Sequence, residues 1–198
     1  MARLGRDEWV DAAYTVFQTD GLAAVRVEAV ARVLGSTKGS FYWHFADRRA
    51  LLLAVLERWE QLETDGVIAE LQREQTAGGR LAVLLLVIAH RTALRTGERT
   101  LYVDADAAGV ADMVAGVTER RVAGIEELLT ELGIPAAEAR ARAVVIVAAV
   151  LGYQQMTAAP WDAKTDPVAL VGTLLRRAVD DAPRASEALD AWQRVRTG

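Results

Sequence analysis

The chain has 198 residues, 52% of them hydrophobic, a formal charge of −4 and no cysteine. That length can bury one sizeable core and still carry a small second domain, while the lack of cysteine excludes disulfides, thiolate zinc sites, iron–sulfur clusters and thiol redox sensing and fits a reducing cytoplasm. The opening MARLGRDEWV has no apolar run before a cleavage site and does not read as a secretory signal. The most apolar runs, Leu81 to Ala89 and Ala143 to Tyr153, fall short of the roughly 18 residues that a membrane span needs. Up to Arg58 the chain has eight Lys/Arg and seven Asp/Glu, net +1, against 15 and 20, net −5, for the rest. A nucleic-acid surface is therefore expected at the front end.

In chain order, Val10, Ala13, Tyr14 and Phe17 recur at helical spacing, with Asp7 and Glu8 at the start and Gly21 as the stop. Val27, Val30, Ala31 and Leu34 repeat the pattern, ended by Gly35. Ser36 or Thr37 caps a short third helix from about Lys38. Asp47 caps a fourth, striped by Leu51, Leu52, Val55, Leu56, Trp59 and Leu62, which Gly66 interrupts. TAGGR reads as a break, Leu81 to Thr96 as the next helix, Thr100 to Val110 as a short one, and Asp112 to Leu132 as a long one stopped by Gly133. Pro135 opens a helix running to about Ala158, Asp166–Pro167 opens another to about Asp181, and Ser186 to Val195 adds a last. No period-two strand pattern appears, so the expected fold is all-α.

The stretch GSTKGSFYWHF, Gly35 to Phe45, carries the chemistry. Two short helices joined by a Gly-containing turn form a helix-turn-helix, whose second helix enters the DNA major groove. On a wheel of about 100° per residue, Phe41 and Phe45 share one side and Trp43 lies opposite, flanked by Gly39, Ser40 and Tyr42. The two phenylalanines are assigned to the core, and Tyr42, Trp43 and His44 to the outside. Gly39 lets the backbone approach a duplex closely; Thr37, Ser40, Tyr42 and His44 offer hydrogen-bond donors, and Lys38 offers a charge. GSTKGS does not satisfy the order of a phosphate-binding loop, and no strand precedes it.

VEAVARVLGSTKGSFYWHFADRRALL resembles the DNA-binding domain of the TetR family of transcriptional regulators, over about Asp7 to Leu56. The resemblance implies an N-terminal three-helix DNA-binding domain, residues 1–47, and a larger helical ligand-binding and dimerisation domain, residues 48–198. It implies Thr37, Lys38, Gly39 and Ser40 at the groove, Tyr42, Trp43 and His44 on phosphates or base edges, and Arg48 on a phosphate. The family has Lys more often where Arg48 stands, and Thr or Ser near Arg26, which can touch phosphate but cannot cap.

The function expected is a repressor released from double-stranded operator DNA by a small-molecule effector. The same architecture used as an activator, or without an effector, stays open, as does a small all-helical enzyme. Against the enzyme stand two histidines only, His44 and His90, and no GxSxG or metal-ligand spacing. No cofactor, metal or membrane partner is expected. AVVIVAAVLGY and VALVGTLL, with Ala148, Ala149, Gly152 and Gly172, suit close helix packing across a homodimer. A ligand cavity like those of the family would be lined by His90, Tyr102, Met113, Tyr153, Gln154, Gln155, Met156 and Trp161, an apolar and aromatic set with a few polar handles. Asp104 and Asp106 could attract a cationic ligand, though loop carboxylates are usually solvated.

Overall fold

The computed structural model describes residues 4–94, 97–158 and 166–197. All regular structure among them is helical: α1 Arg6–Asp20, α2 Val27–Val33, α3 Lys38–Phe41, α4 Arg48–Glu60, α5 Gly66–Leu71, α6 Ala77–Leu94, α7 Leu101–Asp104, α8 Ala111–Glu131, α9 Ala136–Ala158, α10 Pro167–Val179 and α11 Ala185–Thr197. Short 3-10 turns at Leu22–Ala24 and Gly97–Thr100 supplement them. The helix α4 does not stop at Gly66: a π turn over Gln61–Asp65 joins it to α5, shifting the register instead of breaking the chain.

Two compact units result, Met1–Thr64 with Arg95–Val117, and Asp65–Leu94 with Thr118–Gly198. This division differs from one at 47/48, because α4 packs along α1 and belongs to the first unit.

The first unit is built on the expected stripe of α1, Val10, Ala13, Tyr14 and Phe17, together with Trp9, all buried. Around them lie Leu22, Val25, Val30, Phe41, Phe45, Leu51, Leu52, Val55, Leu56 and Trp59. The segment after α6 completes this core with Leu101, Ala105, Val110, Val114 and Val117. It docks by backbone contact: a Cβ on Gly97 would stand 1.9 Å from the Phe17 carbonyl oxygen and 2.7 Å from the Gly21 nitrogen. Only glycine fits there, which is a reason for this residue that periodicity does not reveal.

The second unit packs α6, α8, α9, α10 and α11 around Leu81, Leu85, Ile125, Leu129, Leu132, Ile146, Leu175, Val179 and Trp192. TAGGR is not a break. Thr76 accepts a hydrogen bond from the Gly79 amide at 3.0 Å, so Gly78 and Gly79 form the first turn of α6. A Cβ on Gly78 would stand 2.4 Å from the Ala188 nitrogen of α11. Gly172 serves this interior as well, since its Cβ would meet the Trp192 ring at 2.9 Å; its smallness is used inside the unit. Arg142 joins α9 to the end of α10, donating to the Ala178 carbonyl at 2.7 Å and pairing with Asp181 and Glu138.

Candidate nucleic-acid interface

The turn before α3 is fixed by Gly35. Its φ of 60° lies in the left-handed region open to glycine, and it lets the Ser36 amide bond the Ala31 carbonyl at 2.8 Å and the Gly35 amide bond Arg32 at 3.2 Å. That pair of bonds closes α2 in a Schellman arrangement and throws the chain into the next helix. Thr37, not Ser36, is the cap: its hydroxyl oxygen accepts from the Ser40 amide at 3.3 Å.

The helix α3 is one turn long, followed by turns to Phe45. Phe41 is fully buried and Phe45 nearly so. Their rings stack at 5.3 Å, and Trp9 meets Phe41 edge-on at 5.5 Å. On the other side Tyr42 is 56% and Trp43 81% exposed. The aromatic run therefore divides as its helical spacing predicts. Thr37, Gly39, Ser40, Trp43 and His44, with Leu4 from the segment before α1, line one open depression.

Gly39 has no positive φ, and a Cβ there would meet nothing nearer than the Thr37 hydroxyl at 3.8 Å. The fold itself does not require glycine at this position. Arg6 is a neighbour that the sequence did not single out: its guanidinium carbon stands 5.2 Å from the centre of the Phe45 ring, within cation–π range.

The cations of this face are less free than their charges imply. Lys38 Nζ pairs with Glu28 of α2 at 2.6 Å, both side chains remaining well exposed. The hydrogen bond to Glu28 holds the Lys38 ammonium above its usual value, and the same bond from Lys38 lowers the Glu28 carboxyl. Arg26 is the exposed N-cap residue of α2, makes no side-chain cap, and donates through Nε to the Ala23 carbonyl at 3.3 Å.

Arg48 is engaged within the fold. Its Nε donates to the Val25 carbonyl and its Nη2 to the Leu22 carbonyl, both at 2.7 Å and partly buried. These bonds clamp the start of α4 to the chain between α1 and α2. Arg49 likewise donates to the Gly109 carbonyl at 2.9 Å.

The expected ligand-lining residues fall in both units. Tyr102 and Met113 pack against the core of the first unit. His90 is exposed on α6, with Nδ1 3.0 Å from the Leu86 carbonyl oxygen, so it is not an interior polar handle. Tyr153 and Gln154 are half-buried on α9, Gln155 and Met156 are exposed, and Trp161 lies outside the described residues. Among the described residues no group of three or more His, Asp or Glu side chains could hold a metal, and no helix is long and apolar enough to cross a membrane.

Comparison with known proteins fits this geometry. The family profile "Bacterial regulatory proteins, tetR family" matches residues 10–55, which runs from α1 into α4. The chain is 32% identical over 88 residues to the HTH-type transcriptional regulator AcrR of Shigella flexneri, covering 43% of this chain and 39% of that protein. It is 39% identical over 61 residues to the HTH-type transcriptional regulator SrpR of Pseudomonas putida, covering 30% and 29%. The chain thus matches well under half the length of these two relatives. The fold as a whole resembles the crystal structure of the transcriptional regulator FadR from Bacillus subtilis in complex with stearoyl-CoA, at TM-score 0.63 and 19% identity, over 87% of this chain and 97% of that one. Residues 10–55, which hold the helix-turn-helix, thus match the DNA-binding segment of the tetR family of bacterial regulatory proteins.

Proposed function

We propose that this protein is a sequence-specific DNA-binding transcriptional regulator that acts as a homodimer and is released from its operator by a small apolar or aromatic ligand. The observation that carries the reading is the division of one aromatic run across α3. Phe41 and Phe45 anchor it to the core. Tyr42 and Trp43 are held outside, where large amphipathic rings are enriched at binding surfaces. Thr37, Ser40 and His44 surround Trp43 in the same depression, giving hydrogen-bonding groups at the face that would enter a groove. Gly39, which the fold could replace, leaves room for close backbone approach. The interface proposed is Arg26, Thr37, Lys38, Gly39, Ser40, Tyr42, Trp43 and His44.

A dimer surface is supported by α9. Ala141, Val144, Val145, Ala148 and Gly152 are exposed at helical spacing, forming an apolar stripe that a second copy could cover. Two copies related by a two-fold axis would bring two recognition helices to half-sites about 34 Å apart or a multiple of it. The names of the relatives favour a regulator over the enzyme alternative, and the ligand-binding role of the second unit remains part of this proposal. Stearoyl-CoA, bound by the structural neighbour, is a rational first ligand to try.

The test is selection of duplexes from a fragmented genome by the purified protein. Enriched fragments should share an inverted repeat and should be released by an added ligand. Retention of all fragments alike, or of none, would overturn the reading.

A further inference from the structure

Lys38 and Lys164 are the only two lysines of the chain, and Lys38 is bonded to a carboxylate on the neighbouring helix at 2.6 Å. A carboxylate on a DNA-facing surface is a liability for affinity, since each net phosphate charge neutralised contributes to counterion release. It has a use when the cation it holds is long and flexible. A lysine ammonium has three donors on a four-carbon stem, so one donor can stay on Glu28 while the others face outward. The pair spans α2 and α3. It therefore fixes the ammonium relative to Thr37, Ser40 and Tyr42, whose own places follow from the cap and the Phe41 anchor.

We propose that Glu28 is a positioning residue that sets DNA selectivity by holding Lys38 at one place on the recognition helix. Held there, Lys38 reaches an acceptor that a cognate duplex presents at a fixed position, such as the O6 and N7 edge of guanine, and does not swing to whichever phosphate is nearest. This inference rests on the DNA-binding reading above.

The experiment is fluorescence-anisotropy titration of four proteins, wild type, Glu28→Gln, Lys38→Met and the double variant. Each is measured over a salt series on a duplex selected by the wild type and on an unrelated duplex of equal length. Glu28→Gln should tighten binding to the unrelated duplex about eightfold near 0.1 M salt, with a log K against log salt slope steeper by about 0.9, as one added phosphate contact requires. Binding to the selected duplex should not tighten, so the ratio between the two falls. In the Lys38→Met background Glu28→Gln should leave the ratio unchanged, a coupling that generic repulsion of DNA by Glu28 would not produce. An unchanged or higher ratio in Glu28→Gln, or equal effects in both backgrounds, overturns the inference and leaves the DNA-binding reading intact. A wild type that selects no duplex overturns both.

Discussion

Replacing Arg48 by Ala separates a structural clamp from a phosphate contact. The guanidinium donates at 2.7 Å to each of two carbonyls, Leu22 and Val25. Hydrogen bonds to charged groups contribute about 1.5–3 kcal/mol each, and partial access of water reduces the pair to roughly 3 kcal/mol. For a chain of this size each kcal/mol moves Tm by about 2–4 °C, so Arg48→Ala should melt about 6–12 °C lower. Thermal denaturation followed by circular dichroism reads this directly. Arg48→Lys should recover only part of it, since one ammonium cannot reproduce the fork across two carbonyls. At a temperature where the variant is folded, its salt slope for DNA should match the wild type. A variant of unchanged Tm whose slope falls by about 0.9 would refute the clamp and restore the phosphate contact.

Trp43→Ala should leave Tm within about 2 °C of wild type, because the side chain is 81% exposed and surface changes usually stay within about 0.5 kcal/mol; its DNA affinity should fall at least tenfold by anisotropy. Gly39→Ala should raise stability by up to about 1 kcal/mol through helix propensity, and weaken DNA binding, a pairing visible by urea denaturation beside titration. Val145→Glu, at a position 61% exposed on α9, should abolish the proposed dimer in sedimentation without changing helicity. Asp181 has its carboxyl held below 3.8 by its hydrogen bond with Arg142. Its contribution to stability is therefore present at neutral pH and is lost as pH falls below 3.8 through the folded value. Urea midpoints of wild type and Asp181→Asn should differ at pH 7 and converge in that acid range.

What was legible in the sequence was whatever rests on local periodicity and end signals. Val10, Ala13, Tyr14 and Phe17 are buried as their spacing predicts; Gly133 does close α8, and Asp166 caps α10 through the Val168 amide at 3.1 Å. The split of Phe41 and Phe45 from Tyr42 and Trp43 also follows from spacing alone. What depends on a distant partner was not legible. Gly78 and Gly79 look like punctuation, and become part of α6 because α11 lies against them. Gly97 looks like a helix stop, and is the point where the chain touches the end of α1. The charge of Arg48 was readable but not the two carbonyls it serves, and the charge of Lys38 was readable but not its partner ten residues earlier. Trp9 could have been found, since it sits one position before Val10 and four before Ala13 on the same helical face.

The central claim, that α3 reads DNA sequence, is tested most directly by titrating the purified protein against DNA flanking its own gene, beside an unrelated duplex, at two salt concentrations. Tighter binding to the flanking DNA is expected, weakening as salt rises, with the preference lost in Trp43→Ala at unchanged helicity. Absence of binding to the flanking DNA and to a genome-wide fragment library, at both salt concentrations, would contradict it.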